Sequence, residues 1–472
     1  MDARDAIYMP IRQLAEMLRT QQLTVTDVVE VFLDRLATLG PRYNAVVTVT
    51  HERARRQARV AAEEIAAGRY RGLLHGIPYG AKDLLATSEG IPTTWGAAPF
   101  RQQCFDYDAT VIRRLEQAGA VLIGKLAMVE LAGGMGYNQA NASFTGPGIN
   151  PWNLQAWSGG SSSGSGVAVA AGLVSFALGS ETWGSIISPA ANCGVTGLRP
   201  TYGRVSRYGA MTLSWTLDKL GPLARTADDC GIVLAAIAGA DAADPSTSPR
   251  PYVYDPDALP QPPFRLGVLH EAVQGVQEAV RDNFYQALEM LRPFTSCTEV
   301  SLPDFPYLAV TQTILDAEAF SAFETFIDEG GLAQLTAPES RHSAYTRSLV
   351  LARDYLRALR MCRHLGRLLD NLLERYDALV APAFARVACP LTVDFTTYMG
   401  ERRRDPIGAA GNAAGLPAMC VPNGFGERGL PTGIQFVGRT FSENTLTALA
   451  RLYQQVTTWH AQHPAETIPQ IE

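Results

Sequence analysis

The sequence lacks the features that mark nucleic-acid, metal or phosphate binding. Its 472 residues hold 40 Lys and Arg against 46 Asp and Glu, and a net charge of −6 gives no electrostatic case for a nucleic-acid partner. The seven histidines show no metal-ligand spacing, and neither a Walker A loop nor a GxGxxG turn after a strand is present. We therefore expect no metal, no cofactor and no nucleic acid.

Long apolar runs are missing as well. The most apolar stretch, residues 166–179, is too short for a transmembrane helix, and the opening segment MDARDAIYMPIRQL has no apolar signal core. The seven cysteines are scattered and odd in number, without a CxxC pair, which is typical of reduced cysteines in a cytoplasmic protein. These absences predict a cytoplasmic location and no membrane partner.

The chain does contain enough apolar residues for a large core, with 47% hydrophobic and 18% charged residues. Strand-like apolar runs, such as residues 174–178, alternate with helical patterns up to residue 240, which favours an α/β sheet with helices on its faces. Seven prolines between residues 244 and 263 predict a long surface crossing. Residues 310–375 are predicted to be largely helical, and the α/β pattern returns at residue 377.

The most informative segment spans residues 158–201. It opens with nine consecutive Ser and Gly residues and reaches a second glycine-serine turn at Gly184-Ser185. Such tracts are usually flexible linkers, but this one leads directly into Val167 and Leu173, which need burial. A glycine-rich turn before a helix collects free N–H groups that favour negative charge. Because no phosphate-binding motif is present, we interpret the two serine turns as an oxyanion site.

At Lys82, Ser161 and Ser185 the chain resembles the amidase signature family. GGSSSGSG at 159–166 is followed by a second serine 24 residues after Ser161, in WGSIISP, and the segment GIPYGAKD supplies the lysine. The resemblance continues in segments 107–125, 148–154, 196–211, 217–229 and 415–438. It implies one α/β domain over residues 1–472, with a central mixed β-sheet covered by helices on both faces. Within it we expect a catalytic core at 75–240, a mostly helical covering region at 300–376 and a return to the core at 377–472.

The resemblance implies a Ser–cis-Ser–Lys triad. Ser185 is then the nucleophile, and Lys82 acts as its base if burial keeps the amine neutral. Ser161, joined to Gly160 by a cis peptide bond, carries the proton between them, with Ser162 in support. Ser162 or Ser163 takes that role instead if the register shifts, but the spacing to Ser185 favours Ser161.

The resemblance also implies binding residues around the triad. The oxyanion hole is expected from the backbone N–H groups of Thr182, Trp183, Gly184 and Ser185. The loop at the position where relatives line the substrate site comprises Gly134, Met135, Gly136 and Tyr137. The family commonly has D-x-G-G-S-I-R where this chain has ETWGSII at 181–187. We expect Trp183 to shape the acyl pocket, and Glu181 to need another partner because Ile187 replaces the arginine.

These observations favour a hydrolase of a C–N bond in a small-molecule amide, aryl amide or carbamate, acting through a seryl acyl-enzyme. A Ser-His-Asp hydrolase is the weaker hypothesis, because G-x-S-x-G is missing around Ser185. One alternative is the glutaminase component of a glutamyl-tRNA amidotransferase, its A chain, which works with partner chains. Another is an inactive paralogue that serves as a scaffold, although all three triad positions are filled. The resemblance is also compatible with a homodimer, and we expect one.

Overall fold

The computed structural model describes residues 2–400 and 406–465, which form a single domain around one sheet of eleven strands. The strands are β1 (Val46–Val49), β2 (Pro78–Lys82), β3 (Val121–Leu126), β4 (Phe176–Glu181), β5 (Thr196–Arg199), β6 (Lys219–Ala224), β7 (Phe264–Leu269), β8 (Thr295–Val300), β9 (Ala378–Pro382), β10 (Ala418–Phe425) and β11 (Pro431–Val437). Their spatial order is β1-β3-β2-β4-β6-β5-β10-β11-β9-β7-β8. The sheet is mixed, because β2, β3 and β4 run parallel whereas β4, β6, β5, β10 and β11 alternate in direction.

Helices cover both faces of this sheet. They are α1 (Ile11–Arg19), α2 (Val25–Leu39), α3 (His51–Ala66), α4 (Thr110–Gln117), α5 (Ser163–Ala170), α6 (Ile187–Cys193), α7 (Ala227–Ile237), α8 (His270–Val273), α9 (Glu278–Leu291), α10 (Tyr307–Ala322), α11 (Glu324–Asp328), α12 (Ser340–Arg347), α13 (Ala352–Leu373), α14 (Phe395–Met399), α15 (Pro406–Ala413) and α16 (Glu443–Val456). The predicted fold class, an α/β domain with a mixed sheet between helices, is confirmed.

The Ser/Gly tract is part of the core and not a linker. All eight residues of α5 are buried, and the helix packs against α6 and β4. A Cβ atom at Gly164 would lie 2.3 Å from the carbonyl oxygen of Ala45, and one at Gly166 would lie 2.9 Å from Pro189. Only glycine therefore allows this approach. The close packing fixes the start of α5, and with it the serines that precede the helix.

The segments expected from the sequence can be compared with the observed elements. Between β8 and β9 the chain holds α10 to α13, and the proline-rich stretch 244–263 contains neither helix nor strand. The strand expected at 174–178 begins at Phe176 and continues to Glu181. The boundaries 75–240, 300–376 and 377–472 remain predictions. Residues 401–405 and 466–472 of the last segment, and Met1, lie outside the described residues.

Candidate active site

Lys82 ends β2, which lies between β3 and β4 in the sheet, and its side chain is fully buried. Because β2, β3 and β4 are parallel, their carboxyl ends meet at one edge, where side chains from several strands converge. Lys82 Nζ lies 2.8 Å from Ser161 Oγ and 2.9 Å from Ser180 Oγ. The structure thus brings the predicted lysine to one predicted serine and to a third serine that the sequence analysis did not single out.

The environment of Lys82 favours its uncharged form. Burial lowers the pKa of the amine to about 7, although the negative charges of Asp218 and Glu181 act in the opposite direction. The neutral form of the amine is therefore accessible near neutral pH. A neutral lysine has a lone pair that can accept a proton from a neighbouring hydroxyl group.

The serines before α5 have different partners. The peptide bond between Gly160 and Ser161 is cis. Ser161 contacts Lys82, whereas the hydroxyl of Ser162 donates to the carbonyl of Ser180 over 3.2 Å and accepts its N–H over 3.3 Å. The N–H of Ser162 donates to the carbonyl of Ser185 over 3.3 Å. Ser162 therefore joins the Ser/Gly turn to β4 and to the second serine turn, while Ser161 is the hydroxyl next to the amine.

The turn from Thr182 to Ser185 connects β4 to α6. Gly184 has a φ of +82°, which favours glycine, whereas Trp183 is not among the residues with positive φ. The Trp183 side chain therefore leaves the backbone of the turn unstrained. Within the described residues, no hydrogen bond is donated by the backbone N–H groups of Thr182, Trp183, Gly184 or Ser185. These groups are free to bind an oxyanion, and Ser185 retains 8% of its surface exposed.

Glu181 has the replacement partner that the sequence analysis required. Its carboxylate lies 2.8 Å from Arg199 Nη1 and accepts the side-chain amide of Asn412 over 3.0 Å. It also accepts the backbone N–H groups of Ile186 and Ile187 over 2.9 and 3.0 Å. Although burial raises the pKa of Glu181, Arg199 and these donors bring it down to about 2. A permanent buried carboxylate thus fixes the start of α6, immediately after Ser185.

A cavity of about 560 Å³ adjoins this turn. Its lining comprises Tyr137, Trp157, Gly160, Trp183, Gly184, Ser188, Asn192, Gln312, Phe384, Val387, Cys389, Phe395, Tyr398 and Met399. The ring of Phe395 stacks on Trp157 at 4.4 Å and meets the ring of Tyr137 edge-on at 5.7 Å. Every one of these described lining residues is uncharged. The cavity is therefore suited to an apolar or aromatic group that has no net charge.

The four residues of the loop expected to bind substrate, 134–137, do not all face the cavity. Tyr137 lines the cavity of about 560 Å³, whereas Met135 is fully buried in the main core. A Cβ atom at Gly134 would meet Leu213 at 2.2 Å, and one at Gly136 would meet Ser343 at 3.1 Å. Of these four residues, Tyr137 is the one whose side chain reaches the cavity.

Several cavity and site residues escaped the sequence analysis. Ser180 directly precedes the ETWGSII segment at 181–187, and Asp218 lies in segment 217–229. The pairing of β4 with β6 brings these two segments together, because Glu181 lies opposite Lys219. The aromatic residues at 384–399 carry no motif. Only the fold reveals their role, because it places this segment beside Trp183 and Gly184 in the cavity lining.

The described residues contain no group of three or more His, Cys, Asp or Glu that could hold a metal ion. In the same part of the chain, every helix is too short or too polar to cross a membrane.

The fold and the comparisons with known proteins define an enzyme that hydrolyses amides. A family model described as "Amidase" matches residues 27–447, which is most of the chain. The chain belongs to the amidase family, also called the amidase signature family.

Individual relatives agree with this assignment. The chain is 38% identical to the A component of the glutamyl-tRNA(Gln) amidotransferase of Roseiflexus sp. (strain RS-1), over 95% of this chain and 96% of the relative. It is 37% identical to the putative amidase AmiD of Mycobacterium tuberculosis (strain ATCC 25618 / H37Rv), over 96% and 95% of the two chains. Among solved structures it is similar to the native peptide amidase of Stenotrophomonas maltophilia, with a TM-score of 0.87, 31% identity, and coverage of 98% and 99%.

Proposed function

We propose that the protein hydrolyses a neutral amide, aryl amide or carbamate through an acyl-enzyme on Ser185. Lys82, in its neutral form, takes the proton of Ser161 while Ser161 takes that of Ser185, and Ser185 Oγ attacks the substrate carbonyl. The 2.8 Å distance between Lys82 Nζ and Ser161 Oγ and the lowered pKa of the amine support the first transfer. As the C–N bond breaks, Ser161 donates its proton to the departing amine and takes back a proton from Lys82, which becomes neutral again.

The negative oxygen that forms during attack is stabilised by the N–H groups at 182–185. Each well-placed donor of this kind contributes roughly 2.7–4 kcal/mol to the stability of the transition state. Water then attacks the acyl group on Ser185, with Lys82 and Ser161 again accepting the proton. As the acid leaves, the proton passes from Lys82 through Ser161 to Ser185 Oγ, which restores the hydroxyl and the neutral amine.

The observation that carries the substrate class is the aromatic and uncharged lining of the cavity of about 560 Å³. Trp183 and Gly184 belong both to this lining and to the predicted oxyanion turn. A group bonded to the carbonyl on Ser185 therefore extends between aromatic rings. We infer an acyl group that is aromatic or apolar, as in an aryl amide or a urethane.

A glutaminase is the second candidate, because the A component of a glutamyl-tRNA(Gln) amidotransferase is among the relatives at 38% identity. Free glutamine carries an ammonium and a carboxylate group, both of which need charged or strongly polar partners when they are buried. The described cavity residues offer Ser188, Asn192 and Gln312 but no charged side chain. This lining favours a neutral substrate over glutamine.

One assay separates these functions. Purified protein is supplied with benzamide, an anilide, a phenyl carbamate and glutamine, and the released amine or ammonia is measured. We expect turnover of the aromatic substrates, no turnover of glutamine, and loss of both turnover and fluorophosphonate labelling in Ser185→Ala. Turnover of glutamine alone supports the glutaminase, and wild-type protein that never labels supports the scaffold.

Substrate size, location, oligomeric state and partners complete the proposed function. We propose a small-molecule substrate, a cytoplasmic location, a homodimer, and no nucleic-acid or membrane partner. Light scattering of the purified protein tests the dimer, since a mass near the 50.9 kDa of one chain contradicts it.

A further inference from the structure

Asp218 is a buried carboxylate directly behind the oxyanion turn. It is the residue before β6, and its side chain reaches Thr182, the residue after β4 on the neighbouring strand. Asp218 Oδ1 accepts the hydroxyl of Thr182 over 2.6 Å. Asp218 Oδ2 accepts the backbone N–H groups of Leu213 and Ser214 over 2.8 and 2.9 Å. Both oxygens are thus occupied, one by the turn and the other by the 213–214 loop.

Three hydrogen bonds hold this carboxylate in the protein interior. Among the described residues, no Lys, Arg or His side chain forms an ion pair with Asp218 within 4 Å. Burial raises the pKa of Asp218 against the effect of these hydrogen bonds and of the positive charge of Arg207. A buried carboxyl group is expensive unless it is fully hydrogen-bonded. Because both oxygens accept hydrogen bonds, the carboxylate joins the oxyanion turn to the 213–214 loop in a way that an amide with one acceptor oxygen does not reproduce.

Asp218, just before β6, and Lys82, at the end of β2, lie on either side of β4, because β6 pairs with one side of β4 and β2 with the other. The hydrogen-bond partners of Lys82 are the hydroxyls of Ser161 and Ser180, and the charged groups that favour its ammonium form are Asp218 and Glu181. Asp218 is the larger of these two influences. Glu181 is neutralised by Arg199 at 2.8 Å, whereas Asp218 has no such partner among the described residues.

Lys219 is the other buried amine in this neighbourhood. Its Nζ donates to the carbonyl of Leu217, and its pKa is lowered to about 7 by burial, with Arg199 adding to the effect and Glu181 and Asp218 opposing it. Among the described residues, Lys219 Nζ donates to this carbonyl and to no serine hydroxyl. We therefore do not expect the titration of Lys219 to set the pH dependence of kcat/KM.

We propose that Asp218 is a positioning residue with two separable effects: its hydrogen bond orients Thr182 in the oxyanion turn, and its carboxylate, which lies at β6 across β4 from Lys82 on β2, supplies negative charge to the Lys82 site. The first effect supports the N–H groups that bind the oxyanion. The second allows Lys82 to hold the proton taken from Ser185 until the leaving amine needs it. This inference depends on the proposed function of Lys82 and Ser185.

Two substitutions separate the effects. Thr182→Val removes the hydroxyl, keeps the shape of the side chain and leaves the charge on Asp218. Its kcat should fall about 10-fold, the size of one hydrogen bond to a charged group, with the same pH dependence as the wild type. Thr182→Ser restores the hydroxyl and should return kcat to within roughly threefold of the wild type.

Asp218→Asn removes the charge. Its kcat should fall about 10-fold to 100-fold, and the acidic limb of the kcat/KM profile should move to lower pH by roughly half a unit to one unit. The direction follows because an amine without a nearby negative charge loses its proton more easily, and the neutral amine is the active form. The pH dependence of fluorophosphonate labelling of Ser185 should move by the same amount.

A second cavity, of about 250 Å³, is lined by Thr182, Asp218 and Asp244. Asp244→Asn is the matched control, because Asp244 accepts hydrogen bonds from Arg207 and Ser246 and none from Thr182. It should leave the acidic limb in place. An Asp218→Asn protein with a wild-type limb overturns the charge effect, and a Thr182→Val protein with wild-type kcat overturns the positioning effect. If Ser185→Ala or Lys82→Ala retains full turnover, it is the proposed function that fails instead.

Discussion

Lys82 shows how a single side chain acquires a function from its surroundings. Among the described residues its Nζ hydrogen-bonds to two hydroxyl groups, and burial lowers the pKa of the amine to about 7. Because only the neutral amine can accept a proton, kcat/KM for an aryl amide should rise with pH through about 7 and level off above it. Lys82→Ala should lower kcat by roughly 10²-fold to 10⁴-fold.

The measurement is kcat/KM of the wild type from about pH 5 to about pH 9, a range that spans the expected pKa. Ser180→Ala is an informative companion, since it removes the other hydroxyl at 2.9 Å and leaves Ser161 in place. It should keep most of the activity. A wild-type profile that is flat through neutral pH contradicts the assignment of Lys82 as the base.

Glu181 and Arg199 form a pair whose value lies in stability. Both side chains are buried, and Glu181 also accepts hydrogen bonds from Asn412 and two backbone N–H groups. Removing one member of a buried pair leaves an uncompensated charge, so Glu181→Gln should lower the free energy of unfolding by about 3–5 kcal/mol. Urea denaturation measures this change.

The matched control is Glu30→Gln, which breaks the pair of Glu30 with Arg55 at 2.6 Å, where both side chains are exposed. Surface pairs contribute about 0–1 kcal/mol, so this variant should remain close to the wild type. Equal effects of the two substitutions would show that burial does not distinguish the pairs.

The sequence predicted some of these residues and not others, for physical reasons. Lys82, Ser161 and Ser185 belong to recognisable local segments, and the structure brings Lys82 and Ser161 within 2.8 Å of each other. The sequence also indicated that Glu181 needs a new partner, because Ile187 stands where relatives have an arginine. It could not name Arg199, because that contact depends on how β4, β6 and β5 are arranged in the sheet.

The turn between β4 and α6 is an element whose backbone carries the predicted oxyanion site. Gly184 adopts a φ of +82°, and a Cβ atom there would meet nothing within 4 Å. Gly184→Ala therefore tests the backbone conformation without a clash. The left-handed conformation costs an alanine about 1–2 kcal/mol, and any relaxation of the turn moves the N–H groups. We expect kcat to fall at least about 10-fold.

Gly429→Ala is the control for this element. Gly429 has a φ of +66°, also with nothing within 4 Å of a Cβ atom, and it is exposed in the turn between β10 and β11. The two variants should lose similar amounts of stability in thermal unfolding, but Gly429→Ala should keep the wild-type kcat. If both variants keep full activity, the turn at 182–185 does not need its present conformation.

The sequence predicts a helix or strand correctly where the pattern of apolar residues within the element is sufficient to define it. The strand expected at 174–178 was found, but it extends to Glu181 because β6 pairs with it along its whole length. Gly179, Ser180 and Glu181 have weak strand propensity, so the ladder and not the local sequence determines this end. The same extension places Ser180 next to Lys82, which explains why the sequence did not reveal that contact.

The cavity is a property of the whole molecule. Its aromatic wall combines Tyr137 and Trp157 with Trp183 from the turn after β4 and with Phe384, Phe395 and Tyr398 from the segment after β9. The sequence indicated Tyr137 and Trp183, because both lie in segments that resemble the family's substrate-site loop and serine motif. The segment after β9 joins them only when β9 is inserted between β11 and β7 in the sheet.

Phe395 tests whether this assembled wall selects the substrate. Its ring lies 4.4 Å from that of Trp157 and 5.7 Å from that of Tyr137, measured between centroids. Phe395→Ala removes one face of the expected aromatic site, so KM for benzamide should rise about 10-fold, the equivalent of about 1.4 kcal/mol. The kcat should change little, because a phenylalanine ring neither transfers a proton nor donates a hydrogen bond to an oxyanion, and KM for acetamide should stay constant.

Phe105→Ala provides the comparison. Phe105 is a half-buried aromatic residue that packs near Trp95 and Tyr107 and does not belong to the described cavity lining. Its loss should leave the ratio of the two KM values unchanged. If Phe395→Ala raises KM for acetamide and benzamide equally, the wall supports the fold without selecting the acyl group, and an aromatic substrate loses its structural basis.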